Sequence, residues 1–388
     1  MQDATTCVIT PVIDETGFRA LGPAIHRAST IVFEDAEAYA TRATRGPDGF
    51  SYGLYGTPTT RSLAARITAL AGGARSFLVS SGQGGNTAAL LAVLSQGDHL
   101  LLPDTCYPAM RSFAAQELAR FGITSEYYDP TSIADLRSRL RPETAMIWCE
   151  SPGSTTMEVQ DLRAIAALAQ EAGVLTGIDN TWGTCLGLKP IAFGFDIVVE
   201  ALTKYAAGHS DVLMGVVTLR TEALAETLRG SLGRMGLGVS PDDCALVLRG
   251  METMPLRLAH SARGAEALIP LLQASPAVAR VLWPALPDDP GHALWKRDFT
   301  AAAGVFSVLL TPGVSARLNA AMGRLKTFAI GASWGCTRSL IAPMSVAPFR
   351  TVRPWTQEDL ILRISVGVED TTDLESDIRA FLSALEAA

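Results

Sequence analysis

The chain has no cluster of basic residues. Its 32 Lys and Arg are outnumbered by 39 Asp and Glu, for a formal net charge of −7. Neutralising a run of phosphates needs clustered cations, so nucleic acid is not expected as a partner. The acidic balance favours solubility. No apolar run approaches the ~20 residues of a membrane span. The opening segment MQDATTCVITPVIDETG lacks a basic stretch followed by an apolar one, which argues against a secretory signal. Cysteine is sparse and scattered: Cys7, Cys106, Cys149, Cys185, Cys244 and Cys336 form no C-x-x-C pair. That spacing argues against a zinc site and a disulfide framework, and fits a reducing cytoplasm. The histidines show neither H-E-x-x-H nor facial-triad spacing, so no metal is expected. His209 and Asp211 read as a hydrogen-bonded structural pair.

Two tempting motifs fail on context. SGQGGN, beginning at Ser81, has Thr87 where a dinucleotide fingerprint needs its third glycine. GASWG, from Gly331 to Gly335, matches a nucleophile elbow. The hydrolase order then requires a later histidine, and the last one is His292.

What is present is ample apolar material, 48% of 388 residues, enough for two domains or one large α/β domain with an appendage. Residues 1–56 read as an irregular arm rich in Gly, Pro, Thr and Tyr, of the kind that contacts a partner or serves a site. Residues 57–250 alternate strands and helices. RSLAARITALAGG is a helix ending in glycine. SFLVS, DHLLLPD, TSEYYD, TAMIWCES, VLTGIDN, FDIVVEAL and VLMGVVTL are strands. Near-continuous apolar strands between amphipathic helices predict a mostly parallel sheet covered on both faces. Residues 251–388 form a smaller α+β domain: a long helix from METMPLRLAHSARG, strands GVFSVLLT and LILRISVGV, and a terminal helix from near Thr372.

Three features converge. Lys204 follows a buried strand and has no obvious partner beyond Glu200. Asp179 ends another apolar strand, and ligands in open α/β sheets bind beyond such carboxyl ends. The turn Ser80-Ser81-Gly82-Gln83 opens a helix whose N–H groups suit a phosphate, or form an ordinary turn. A Schiff-base lysine, a carboxylate for a pyridine nitrogen and an anion cradle are what pyridoxal 5′-phosphate (PLP) requires. The alternative is a salt-bridged lysine and a loop cap.

The segments ESPGSTTMEVQD, IDNTWGTCLGLKPIAFGFDIVVEALTKYAAGHSDVLMG, WPALPDDPGHALWKRDF and LILRISVGVED resemble cystathionine β-lyases. These belong to the Cys/Met-metabolism group of fold-type-I PLP enzymes. The resemblance implies the following roles. Lys204 would carry PLP and move protons. Asp179 would pair with the pyridinium, and Tyr107 would stack on the ring and assist proton transfer. Gly82, Gln83 and Thr203 would bind the phosphate, with Thr181 also in the cofactor-binding set. Tyr52, on the arm, would reach into a neighbouring subunit's site for cofactor, substrate and catalysis. Arg363 would hold the substrate α-carboxylate, and Ser333 and Trp334 would line its pocket.

The resemblance further implies a cytoplasmic homotetramer in methionine biosynthesis by transsulfuration. The implied reaction is β-elimination on L-cystathionine, giving homocysteine, pyruvate and ammonia. Trp334 in SWGC, where γ-acting relatives usually carry SLGG, favours this over a γ-lyase, γ-synthase or sulfhydrylase. Another cysteine S-conjugate is a further alternative, and a non-catalytic PLP-fold binding protein a remote one. Two positions depart from the pattern. Leu54 replaces an arm arginine whose charge-assisted bond would contribute roughly 1.5–3 kcal/mol, with the Tyr55 hydroxyl as a candidate substitute. Cys336 replaces a glycine.

Overall fold

The computed structural model describes residues 16–18, 20–355 and 360–387; Cys7 and most of the opening segment lie outside them. Among its described residues the arm carries one short helix, α1 (Ala36–Ala40), and two 3-10 turns. It is tied to the body by His26 N–H donating to Thr59 Oγ1 at 2.8 Å and by an Arg27–Asp242 ion pair at 2.5 Å. Phe18, Leu21, Ile25 and Val32 along it are exposed.

Helix α2 (Pro58–Ala71) starts where its sequence says it should. Thr57 and Thr60 form a reciprocal capping box, Pro58 opens the helix, and Gly72 ends it in the left-handed conformation. Strand β1 (Arg75–Val79) follows, then α3 (Gly82–Val93), whose cap Ser81 accepts from the Gly84 N–H. The alternation continues through β2 (His99–Pro103), α4 (Pro108–Phe113), β3 (Thr124–Tyr128), α5 (Ile133–Ser138), β4 (Thr144–Glu150) and α6 (Leu162–Ala172). Next come β5 (Leu175–Asp179), α7 (Thr184–Gly187), β6 (Ile197–Glu200), β7 (Gly215–Leu219) and α8 (Glu222–Met235).

These seven strands make one sheet in the order β1-β7-β6-β5-β4-β2-β3. All neighbours are parallel except β7, which runs antiparallel to both β1 and β6. The mostly parallel expectation therefore holds, with one reversed strand that hydropathy does not show. One face packs Leu90, Trp148, Val199 and Val217 under α3 and α8; the other packs Leu63, Ile147 and Ile178 against α2 and α6. Burial on both faces is why the strands read as continuous apolar runs.

Helix α9 (Pro241–Gln273) begins at the Ser240-Pro241 cap, ten residues before the expected start, and carries the chain across residue 250 without a break. It leads to β8 (Val278–Leu282), α10 (His292–Asp298), β9 (Val305–Leu310), α11 (Leu318–Met322), β10 (Ala329–Ile330), β11 (Leu340–Met344), β12 (Ile361–Ser365) and α12 (Thr371–Glu386). A second sheet has the order β10-β11-β12-β9-β8 and is antiparallel except for the short β10–β11 pair. Among the described residues, no helix is long and apolar enough to cross a membrane. Nor are three His, Cys, Asp or Glu side chains placed to hold a metal.

Candidate active site

Five of the parallel strands end on the same edge of the sheet, and each hands a loop to one cleft. Ser81 and Gly82 follow β1, Tyr107 follows β2, Glu150 ends β4 with Pro152 to Thr155 after it, Asp179 ends β5 with Thr181 after it, and Thr203 and Lys204 follow β6. The second sheet closes the cleft with Arg363 on β12 and with Ala332 and Trp334 on the β10–β11 loop. The enclosed volume is about 250 Å³. Two roomier cavities, of about 570 and 540 Å³, lie elsewhere, and neither contains a lysine.

Lys204 sits half-buried at the cleft. Its Nζ donates to Ser333 Oγ at 2.8 Å and lies 5.4 Å from the centre of the Trp334 indole. No carboxylate is within ion-pair distance among the described residues. Burial, then the neighbouring Arg363 guanidinium, lowers its pKa from 10.5 to about 8. Glu200 is not its partner. It is buried, accepts from the Cys185 N–H at 3.1 Å and from Asn180 Nδ2 at 3.4 Å, and is pushed up to about 8 by burial.

Asp179 is held by three donors. Asn86 Nδ2 reaches Oδ2 at 3.2 Å, and Thr181 gives Oδ1 its N–H at 3.0 Å and its hydroxyl at 2.6 Å. The same Thr181 hydroxyl accepts from the Ala201 N–H at 2.9 Å, which ties the loops after β5 and β6. Thr181 thus orients Asp179. Thr203 lines the cleft, but its hydroxyl is engaged with the backbone of Met214, donating to the carbonyl at 3.1 Å and accepting from the N–H at 3.0 Å.

The start of α3 is where an anion could be received. A Cβ on Gly82 would lie 2.5 Å from that of Ala201, so only glycine lets the helix N-terminus come this close to the loop of Lys204. Arg363 is 8% exposed and has no ion pair among the described residues; burial lowers its pKa. A buried guanidinium facing a cleft without a counter-ion is a seat for an incoming carboxylate.

The cleft fits PLP on each requirement: an amine without an ion pair among the described residues, a carboxylate fixed by three donors, a glycine-rich helix N-terminus, and an aromatic ring at Tyr107 on its lining. Tyr52 is half-exposed and does not line the cleft of its own chain. Leu54 and Tyr55 pack against α8 and its following turn, at Gly238 and Gly233. His209 is a correction. Its Nδ1 is 2.6 Å from the Ala207 carbonyl oxygen, a bond within its own turn rather than with Asp211. Around Gly331 to Gly335 the chain is a loop after β10 with no helix behind it, so the nucleophile-elbow context is absent.

Sequence reasoning missed Glu150, Asn86 and Trp182, all of which line the cleft. Glu150 had a readable signal: it ends an apolar strand just as Asp179 does.

The Cys/Met metabolism PLP-dependent enzyme family matches residues 4–383. A cystathionine beta-lyase of Bordetella avium is 35% identical, covering 95% of this chain and 93% of its own. An L-alanine/L-glutamate racemase of Wolbachia pipientis is 34% identical over 94% and 93%. The solved structure of cystathionine gamma synthase from Xanthomonas oryzae pv. oryzae in complex with cystathionine superposes with a TM-score of 0.87 at 30% identity, covering 96% and 95%. Near-complete coverage and a cleft that meets each demand of the cofactor agree: the chain belongs to the Cys/Met metabolism PLP-dependent enzymes, with pyridoxal 5′-phosphate as its cofactor.

Proposed function

We propose that the enzyme is a carbon–sulfur β-lyase that converts L-cystathionine and water to homocysteine, pyruvate and ammonia. The observation that carries this reading is the position of Trp334. Its indole stands 5.4 Å from Lys204 Nζ and 5.8 Å from the Tyr205 ring, crowding the space beside the amine. β-Elimination needs one base that takes the Cα proton and returns one to the departing sulfur. γ-Chemistry also needs a proton removed from Cβ, hence a wider swing.

Lys204 would hold PLP, Asp179 would keep its ring nitrogen protonated, and the start of α3 at Gly82 and Gln83, with Thr203, would receive its phosphate. Bound PLP supplies an electron sink for the carbanion at Cα. Arg363 orients the substrate by its α-carboxylate. Lys204, neutral above about 8, removes the Cα proton and delivers it to the thiolate sulfur. Ser333 holds Nζ between the two positions, and Tyr107 covers the ring and assists the transfer.

The same reading assigns residues 1–56 as an arm carrying Tyr52 to a neighbouring subunit, 57–250 as the PLP domain and 251–388 as the substrate-side domain. The exposed apolar residues of the arm support assembly, as a cytoplasmic homotetramer in methionine biosynthesis.

The test is product analysis with PLP-loaded protein and L-cystathionine, assaying pyruvate, 2-oxobutyrate and free thiol, with Lys204→Ala alongside. Pyruvate and homocysteine in equal amounts, lost in the variant, are expected. 2-Oxobutyrate in place of pyruvate refutes β-elimination. Interconversion of alanine enantiomers without carbon–sulfur cleavage refutes lyase action altogether.

A further inference from the structure

Glu150 has no part in the roles above, yet it lies on the cleft floor. It ends β4 directly opposite Asp179, its register partner on the adjacent parallel strand β5. Neighbouring strands are ~4.8 Å apart, so two carboxyl groups share one end of the sheet. One of them must yield its charge unless donors or cations compensate both. The donors are divided unequally. Asp179 receives three. Glu150 has one in the structure, the Tyr107 N–H, which reaches Oε2 at 2.6 Å. No cation pairs with Glu150 among the described residues. The ionisable groups acting on it are Asp179 from β5 and, from the turn after β2, Cys106; Lys204 and Arg363 line the same cleft without pairing with it. Burial, followed by the Asp179 charge, pushes the Glu150 carboxyl well above its usual range.

The single bond that Glu150 accepts has a specific job. Tyr107 is the cap residue of α4 with no side-chain cap bond, and it is 45% exposed. Its carbonyl already accepts from Met110 and Arg111 of the helix. The 2.6 Å bond to Glu150 is what ties its N–H to the sheet.

We infer that Glu150 is a positioning residue for Tyr107, held as a neutral carboxylic acid so that Asp179 alone carries the charge on the cleft floor. A neutral acid keeps a carbonyl oxygen for the Tyr107 N–H without competing with Asp179. Glutamine has the same shape, charge and acceptor, so it stands in for this state and for no ionised one.

The test measures PLP retention by the holoenzyme, from the visible absorption spectrum and equilibrium dialysis between pH 6 and 8. It needs no thioether, so failure of the β-lyase assignment leaves it intact. Glu150→Gln should match the parent within about threefold in PLP dissociation constant, with a superimposable spectrum across the range. Glu150→Ala and the volume-keeping Glu150→Met should weaken PLP tenfold or more. If Glu150→Ala does not fold, Glu150→Met decides. In a Tyr107→Ala background, Glu150→Met should add nothing further, since both act through one ring. Glu150→Gln as damaging as Glu150→Met overturns the neutral acid. A parent-like Glu150→Met, or full additivity with Tyr107→Ala, overturns the positioning role.

Discussion

Replacing Lys204 by methionine should stabilise the cofactor-free protein below pH 8. In that form the structure holds an ammonium group beside a buried arginine with no carboxylate at ion-pair distance among the described residues, and its pKa falls from 10.5 to about 8. One pKa unit corresponds to about 1.36 kcal/mol, so the displacement sets an upper bound of roughly 3.4 kcal/mol; water in the open cleft screens part of it. The sign follows from proton counts. Below about 8 both native and unfolded chains carry the charge, and only the native state suffers its burial. Between about 8 and 10.5 the unfolded chain binds the extra proton, so parent stability climbs with pH. The advantage of the variant is therefore full at pH 6–7 and gone near 10.5. With an unfolding entropy of about 2.1 cal/mol/K per residue, 388 residues give ~0.8 kcal/mol/K, so the melting temperature rises by up to about 4 °C. Scanning calorimetry of cofactor-free parent and Lys204→Met at pH 6.5 and 9.5 reads this directly. A variant no more stable than the parent at pH 6.5, or a gap that widens with pH, would refute the view of Lys204 as an uncompensated buried charge.

Two further outcomes are expected. Gly82→Ala places a methyl 2.5 Å from the Ala201 Cβ; the helix start must retreat, and absorbance titration should show PLP binding weakened by about tenfold or more, at roughly 1.4 kcal/mol per decade. Arg363→Lys loses the forked donor and should raise KM for the amino-acid substrate by about 10- to 100-fold, the equivalent of a charge-assisted bond. On the proposed reading PLP binding should stay unchanged, because Arg363 lies on β12 of the five-stranded sheet.

Much of this cleft was legible because its chemistry stands against an apolar background. Lys204 and Asp179 each follow a strand of hydrophobic residues, where a charge has no structural reason to be. Arg363 lies within an apolar strand too, but only a family resemblance separated it from a chance charge. The start of α9 was written in Ser240-Pro241-Asp242-Asp243, a helix-opening pattern, and was obscured by Gly250, which reads as a break inside the helix. Pairing is another matter. Nothing in GVVTL declares that β7 runs against its neighbours. Nothing in either strand alone says that Glu150 stands opposite Asp179, because register is decided by packing across the sheet.

The division of the cleft between two sheets has a consequence for divergence. The loops of the seven-stranded sheet bring Lys204, Asp179 and Gly82 to the cleft, whereas Ser333, Trp334 and Arg363 come from the side of the five-stranded one. Direct bonds between the two sets in the cleft are sparse, the chief one being that from Lys204 to Ser333. Substitutions in the loop between β10 and β11 can therefore retune what is bound and where protons are delivered while leaving the cofactor undisturbed. A scaffold partitioned in this way lets chemistry drift along one wall while the other is kept, and relatives bearing lyase, synthase and racemase names are what such a partition would produce.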